Sequence, residues 1–241
     1  MPLLPGFGPG PLAVAAGGYH LAGRTMSQPR LATVALVLAL AGLVPRRLWR
    51  WGRLAVTAVH EGGHAVAARL AGRRVVGVHL RADTSGVTYH AGSAGRVRRL
   101  VTTVAGYPAP GLLAVAGAGL CAANHPRAWL ALLAALATVS LVLWLRNLFG
   151  VVVVLAGAGG LGWLVLKGTS GLDALVGAAL VWYLAIGGLR SVAEANRDRR
   201  PGDAVELGRL LHVPAAVAKV GFTVAAAVCV AVSGGLLLGL R

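Results

Sequence analysis

Seven apolar runs, near residues 31–45, 54–72, 100–122, 128–146, 148–167, 171–190 and 214–240, take up most of this chain. A helix rising 1.5 Å per residue needs about 20 residues to cross a hydrocarbon core, and most of these runs reach or approach that length. A soluble domain is the alternative, and composition argues against it. Hydrophobic residues make up 57% and charged residues 12%, against roughly 25% charged in an ordinary globular chain. The expected fold is an all-α polytopic membrane protein of about six to seven transmembrane helices. The first run, at about 15 residues, is short for a span and admits a re-entrant or interfacial course.

The net charge of +16 comes from arginines placed between the apolar runs. They form no stripe with interleaved aromatics, so nucleic acid is not an expected partner and membrane lipid is. If the seven runs alternate across the bilayer, about fifteen basic residues fall on one side, including Arg24, Arg30, Arg69, Arg73 and Arg190. About seven fall on the other, including Arg46, Arg47, Arg50, Arg53 and Arg127, and the richer side is expected to be cytoplasmic. A bacterial cell membrane is the expected setting.

Residues 1–30, broken by Pro and Gly, read as a disordered tail, and residues 31–241 as one transmembrane unit. Whether translation starts at Met1 or Met26 is left open. Cys121 and Cys229 lie in apolar runs without metal-type spacing, so neither a disulfide nor a thiolate site is expected. Between the second and third runs, β-branched residues alternate around Asp83-Thr84-Ser85-Gly86. That pattern predicts a small cytoplasmic β-hairpin over about 73–92.

The second run contains His60-Glu61-Gly62-Gly63-His64. Ionisable groups are costly in hydrocarbon, so three together call for a functional explanation. Residues four apart share a helix face, which lets both imidazoles reach one ion with Glu61 beside it. This chain's own composition would produce the H-E-x-x-H pattern by chance only roughly 0.0025 times. Zn2+ held by two imidazoles and a carboxylate keeps an open position for water, whose pKa falls towards about 7. Glu61 would take that water's proton as general base. Gly62 and Gly63 leave room beside the metal for a neighbouring helix or a peptide.

The chain has seven carboxylates, and with Glu61 committed six remain as third ligand. Asp83 falls at the hairpin tip and Asp173 opens a helix on the opposite side. Asp203 opens an amphipathic run on the side nearer His64 and is the preferred ligand. Its alternative is a helix N-cap, with Glu206 as the capping-box partner three residues on. His79, His90, His125 and His212 lack partners at ligand spacing. Tyr107-Pro108-Ala109-Pro110 removes two amide donors and should break the third span, either to admit water and an unwound substrate or as a packing kink.

The His60-Glu61-His64 helix, the hairpin after it and the late Asp203 resemble the site-2 protease family of intramembrane zinc metalloproteases. Ala105-Gly106-Tyr107-Pro108, Arg146-Asn147-Leu148-Phe149-Gly150 and Asp203-Ala204 with Val213-Pro214 look like a compact actinobacterial-type branch, and the likeness covers most of residues 50–225. The resemblance implies Zn2+ held by His60, His64 and Asp203, Glu61 as catalytic base, and a membrane-spanning or membrane-adjacent protein as substrate. Asn147 would match a substrate-orienting asparagine, with a polar turn as its alternative. The family's Leu-Asp-Gly third-ligand motif is absent; Leu172-Asp173-Ala174 is a partial echo, so Asp173 stays open beside Asp203. Two other functions stay open as well, a catalytically silent membrane scaffold or chaperone and a metal transporter using His60 and His64. Sequence says nothing of oligomeric state.

Overall fold

A computed structural model describes residues 18–21, 23–197 and 202–240. All seven apolar runs are largely helical, although the fourth stops at Leu143, short of residue 146. Helix α1 spans Gln28–Leu43 and α2 spans Arg46–Leu70; α3 (Arg96–Ala105) and α4 (Pro108–Ala122) share the third run. Five more follow among the described residues: α5 (Pro126–Leu143), α6 (Leu148–Lys167), α7 (Ser170–Arg197), the short α8 (Asp203–Leu211) and α9 (Ala215–Leu238). Helices α5, α6, α7 and α9 are each long and apolar enough to cross a membrane. The pairs α1–α2 and α3–α4 qualify only as bent spans, so the described residues hold four to six candidate spans. That upper count meets the lower end of the sequence expectation.

Proline sets several of these boundaries. It sits in the first turn of α1, α4 and α5, where its missing N–H has no intrahelical partner to lose. Pro45 lies at the corner between α1 and α2, whose axes differ by 106°. Beyond it, Arg46–Arg53 continue as helix rather than forming the loop that hydropathy suggests. Trp49 anchors this start: its indole N–H donates to Glu194 over 2.8 Å, and Arg190 stacks on its ring.

The corner corrects the expected alternation of sides. Tyr19 donates to Asn124 and Gln28 to the Cys121 carbonyl, so α1 starts beside the end of α4. The start of α2 lies instead beside the end of α7, through Trp49–Glu194 and Arg53–Glu194. Arg46, Arg47, Arg50 and Arg53 therefore share an end of the bundle with Arg190, while Arg30 joins Arg127 at the other. The arginine bias between the two ends becomes steeper than strict alternation gives.

Residues 1–17 lie outside the description, but the expected tail is corrected over 19–26. Strand β1 (Tyr19–Leu21) pairs antiparallel with β2 (Arg24–Met26), and Tyr19 is buried against the helices. An aromatic with an inward hydroxyl partner pins this segment despite its glycine content.

The expected second hairpin is present. Strand β3 (Arg74–Leu80) pairs antiparallel with β4 (Gly86–Ala91), and the Asp83 carboxylate accepts from the Ser85 amide and hydroxyl at the turn. The far edge of β3 is covered as well. Val78 donates to Trp144 and accepts from Arg146, and both sides of the Asn147 carboxamide engage the Leu80 main chain, at 3.1 and 2.6 Å. The outer edge of β4 has no backbone partner among the described residues.

Most of the helical core lies between α1, α4, α7 and α9. Trp129 and Trp182 are buried in it with their N–H groups donating to the Gly177 and Ala32 carbonyls, which satisfies the one polar atom each brings inside. Cys121 and Cys229 are buried free thiols.

Candidate metal centre

Helix α2 presents His60 and His64 on one face, their ring centroids 4.7 Å apart in an edge-to-face arrangement. His64 is buried, and its Nδ1 lies 2.8 Å from the Thr102 carbonyl of α3. A carbonyl only accepts, so Nδ1 carries the proton and Nε2 keeps its lone pair. That lone pair faces the Nε2 of His60 at 3.1 Å.

The third member comes from α8. Asp203 Oδ2 lies 3.2 Å from Nε2 of both histidines. Tetrahedral bonds of about 2.0–2.1 Å would separate neighbouring ligand atoms by roughly 3.4 Å, so the three donors have about the spacing a zinc shell needs. Two lone pairs and a carboxylate converging this closely also want a cation between them. The residues present fit a divalent metal.

Helix α8 begins differently from the capping alternative. Gly202 is its N-cap, no side chain caps it, and Asp203 is the first helical residue with its carboxylate turned to the histidines. Glu206 pairs with Arg99 of α3, while the Arg96 Nε donates to the Leu210 carbonyl over 2.7 Å. One helix, α3, thus holds both His64 and the helix that carries Asp203. Asp173 lies elsewhere: it is 1% exposed and pairs with Arg127 at 2.7 Å.

Glu61 is buried beside the histidines, its Oε2 accepting from the Thr88 hydroxyl of β4 at 2.6 Å. Two glycines that motif reading passed over make this packing possible. A Cβ on Gly86 would lie 2.5 Å from Glu61 Cγ, and one on Gly106 would strike the His64 ring. Of the motif's own pair, Gly63 fits against Ala105 and Ala109 at the break between α3 and α4, whereas Gly62 faces open space. That break, a bend of 57°, is where Tyr107-Pro108 was expected to interrupt the span. It places Tyr107 edge-on to His60, backed by Phe222.

Two cavities meet at His60, Glu61, Gly86 and Tyr107. One of about 190 Å³ runs toward Arg53 and Thr57; the other, about 450 Å³, runs between β4, α3 and α8. Asn147 lines neither, being engaged with Leu80.

Two helix-borne imidazoles, a neighbouring glutamate and a carboxylate delivered from a distant segment, set among apolar helices, are the arrangement of a membrane metallopeptidase. The family profile described as Peptidase M50B-like matches residues 33–233, and the chain belongs to that family, within the site-2 protease group, as an integral membrane protein. No curated protein and no solved structure matches it.

Proposed function

We propose that the chain is a zinc-dependent intramembrane endopeptidase, cleaving membrane-spanning or membrane-adjacent proteins in a bacterial cell membrane. The observation that carries this reading is the convergence of His60, His64 and Asp203 with Glu61 beside them. A zinc ion held by those three would supply Lewis acidity, polarising a peptide carbonyl and acidifying water. Glu61 takes the proton of the attacking water and returns it to the leaving amine. Thr88 holds its carboxylate in place by donating to one oxygen and leaves the other free for that transfer.

A helical substrate has its amides bonded internally, so a segment must unwind before cleavage. The unpaired edge of β4 lines the larger cavity and offers main-chain partners to such a segment. Asn147 acts at a distance, fixing β3 and through it β4. Membrane lipid is the other partner, and the arginine-rich end of the bundle faces the cytoplasm.

The test uses membrane vesicles with the wild-type chain or Glu61→Gln. New N-termini from membrane proteins should appear with wild type and be absent with the variant, which still binds zinc. Products that persist with Glu61→Gln would refute the mechanism. A chain that binds zinc yet yields no products would favour a silent scaffold, and zinc flux without products a transporter.

A further inference from the structure

The larger cavity has an unbalanced charge. Its Glu61 is held by Thr88, its Asp203 by the two imidazoles, and its Glu206 by Arg99. Arg73 also lines it and pairs with no carboxylate among the described residues; its Nε is buried without a hydrogen-bond partner. A divalent metal on two neutral imidazoles and Asp203 would carry one net positive charge, which Glu61 offsets. Among the described residues, the Arg73 guanidinium is then the cavity's uncompensated cation.

Its position is built rather than loose. Helix α2 ends in a Schellman arrangement: Gly72 is left-handed at φ 70°, its amide donates to the Arg69 carbonyl, and the Arg73 amide donates to Ala68. Arg73 therefore leaves the helix in a fixed direction, beside the β3–β4 pair Val75–His90. Nearby, the His90 Nδ1 is also buried without a partner. Burial first, then Arg73, holds His90 down to about 4, so its ring is neutral and supplies no counter-charge. Burial and the neighbouring Arg99 likewise lower the Arg73 guanidinium. A partly exposed guanidinium whose buried Nε donor is free, beside a second guanidinium, suits a carboxylate.

We infer that Arg73 forms a specificity subsite for a carboxylate on the substrate, an acidic side chain close to the scissile bond. This rests on the peptidase reading, and it gives a site whose other charged side chains are already partnered a means to choose among apolar segments.

Selection by binding tests it without needing cleavage. Zinc-loaded full-length Glu61→Gln protein, immobilised in detergent, is presented with acetylated, amidated octapeptides of randomised apolar residues. One position is fixed as Glu, Gln or Lys, and retained peptides are counted by mass spectrometry. Glu peptides should be enriched about tenfold over Gln, as one charge-assisted hydrogen bond would give. Adding Arg73→Gln should abolish the preference, Arg73→Lys should keep part of it, and Arg73→Glu should turn it toward Lys. Equal retention of Glu and Gln by the Arg73 protein overturns the inference. So does Glu enrichment that survives Arg73→Gln, which would put the carboxylate on the metal. If Arg73→Gln instead weakens only association with anionic lipid vesicles, Arg73 faces headgroups and the subsite fails. None of these outcomes bears on whether vesicle proteins are cleaved in a Glu61-dependent way.

Discussion

At the scale of single residues, the site depends on side chains that are missing as much as on those present. Gly106 has room for no Cβ beside the His64 ring, so Gly106→Ala should displace that imidazole. Zinc affinity, read by competition with a chelator, should fall about 10–100-fold, the size usual for losing a metal ligand's support. Gly62→Ala, which meets nothing within 4 Å, should leave affinity unchanged. Equal effects from the two would mean the glycines serve the helix rather than the metal. His60, Glu61 and His64 were legible in the sequence because their spacing matches the helical period. Gly106 entered only as part of the Ala105–Pro108 stretch; its closeness to the His64 ring was not legible, because that neighbour comes from α2.

At the scale of elements, helices were legible from hydropathy and their mutual directions were not. The α1–α2 corner depends on Pro45 and on Trp49 finding Glu194, a partner 145 residues away, so the arginine-rich stretch between the apolar runs looked like a loop. Sidedness follows from that corner. Single cysteines at Arg47 and Arg197 should react with a membrane-impermeant maleimide from the same face, and one at Arg30 from the other. Labelling of Arg30 and Arg197 positions from one face would restore simple alternation and break the account of the corner. The hairpin was legible from alternation and its turn; the cover on its far edge was not, because residues 144–146 read as the end of the fourth apolar run and Asn147 as a polar turn, whereas the helix ends at Leu143. Asn147→Ala should leave the Leu80 amide and carbonyl without partners, a loss of about 1–3 kcal/mol for buried groups. Faster hydrogen exchange at Leu80, with zinc retained, is the expected signature; loss of zinc instead would place Asn147 nearer the metal than its bonds to β3 suggest.

At the scale of the whole molecule, the candidate metal set joins α2 to α8. Thr102 holds His64, and α3 ties down α8 through Arg99 and Arg96, so Asp203 arrives from a short amphipathic helix outside the candidate spans. Sequence preferred Asp203 as third ligand and left Asp173 open; the convergence of Asp203 on the two imidazoles comes from the packing of α8 on α3. Asp173 serves a different purpose, as a buried partner of Arg127. Removing it should lower the melting temperature without touching the metal, and by less than loss of a fully buried pair would, because the Arg127 side chain is about half exposed and stays solvated.

The zinc content of purified wild-type, Asp203→Ala and Asp173→Ala proteins tests this most directly. Wild type and Asp173→Ala should each hold about one zinc per chain, and Asp203→Ala less than about a tenth of that. Zinc retained by Asp203→Ala and lost from Asp173→Ala would contradict the closure of the site by α8, and with it the proposed centre.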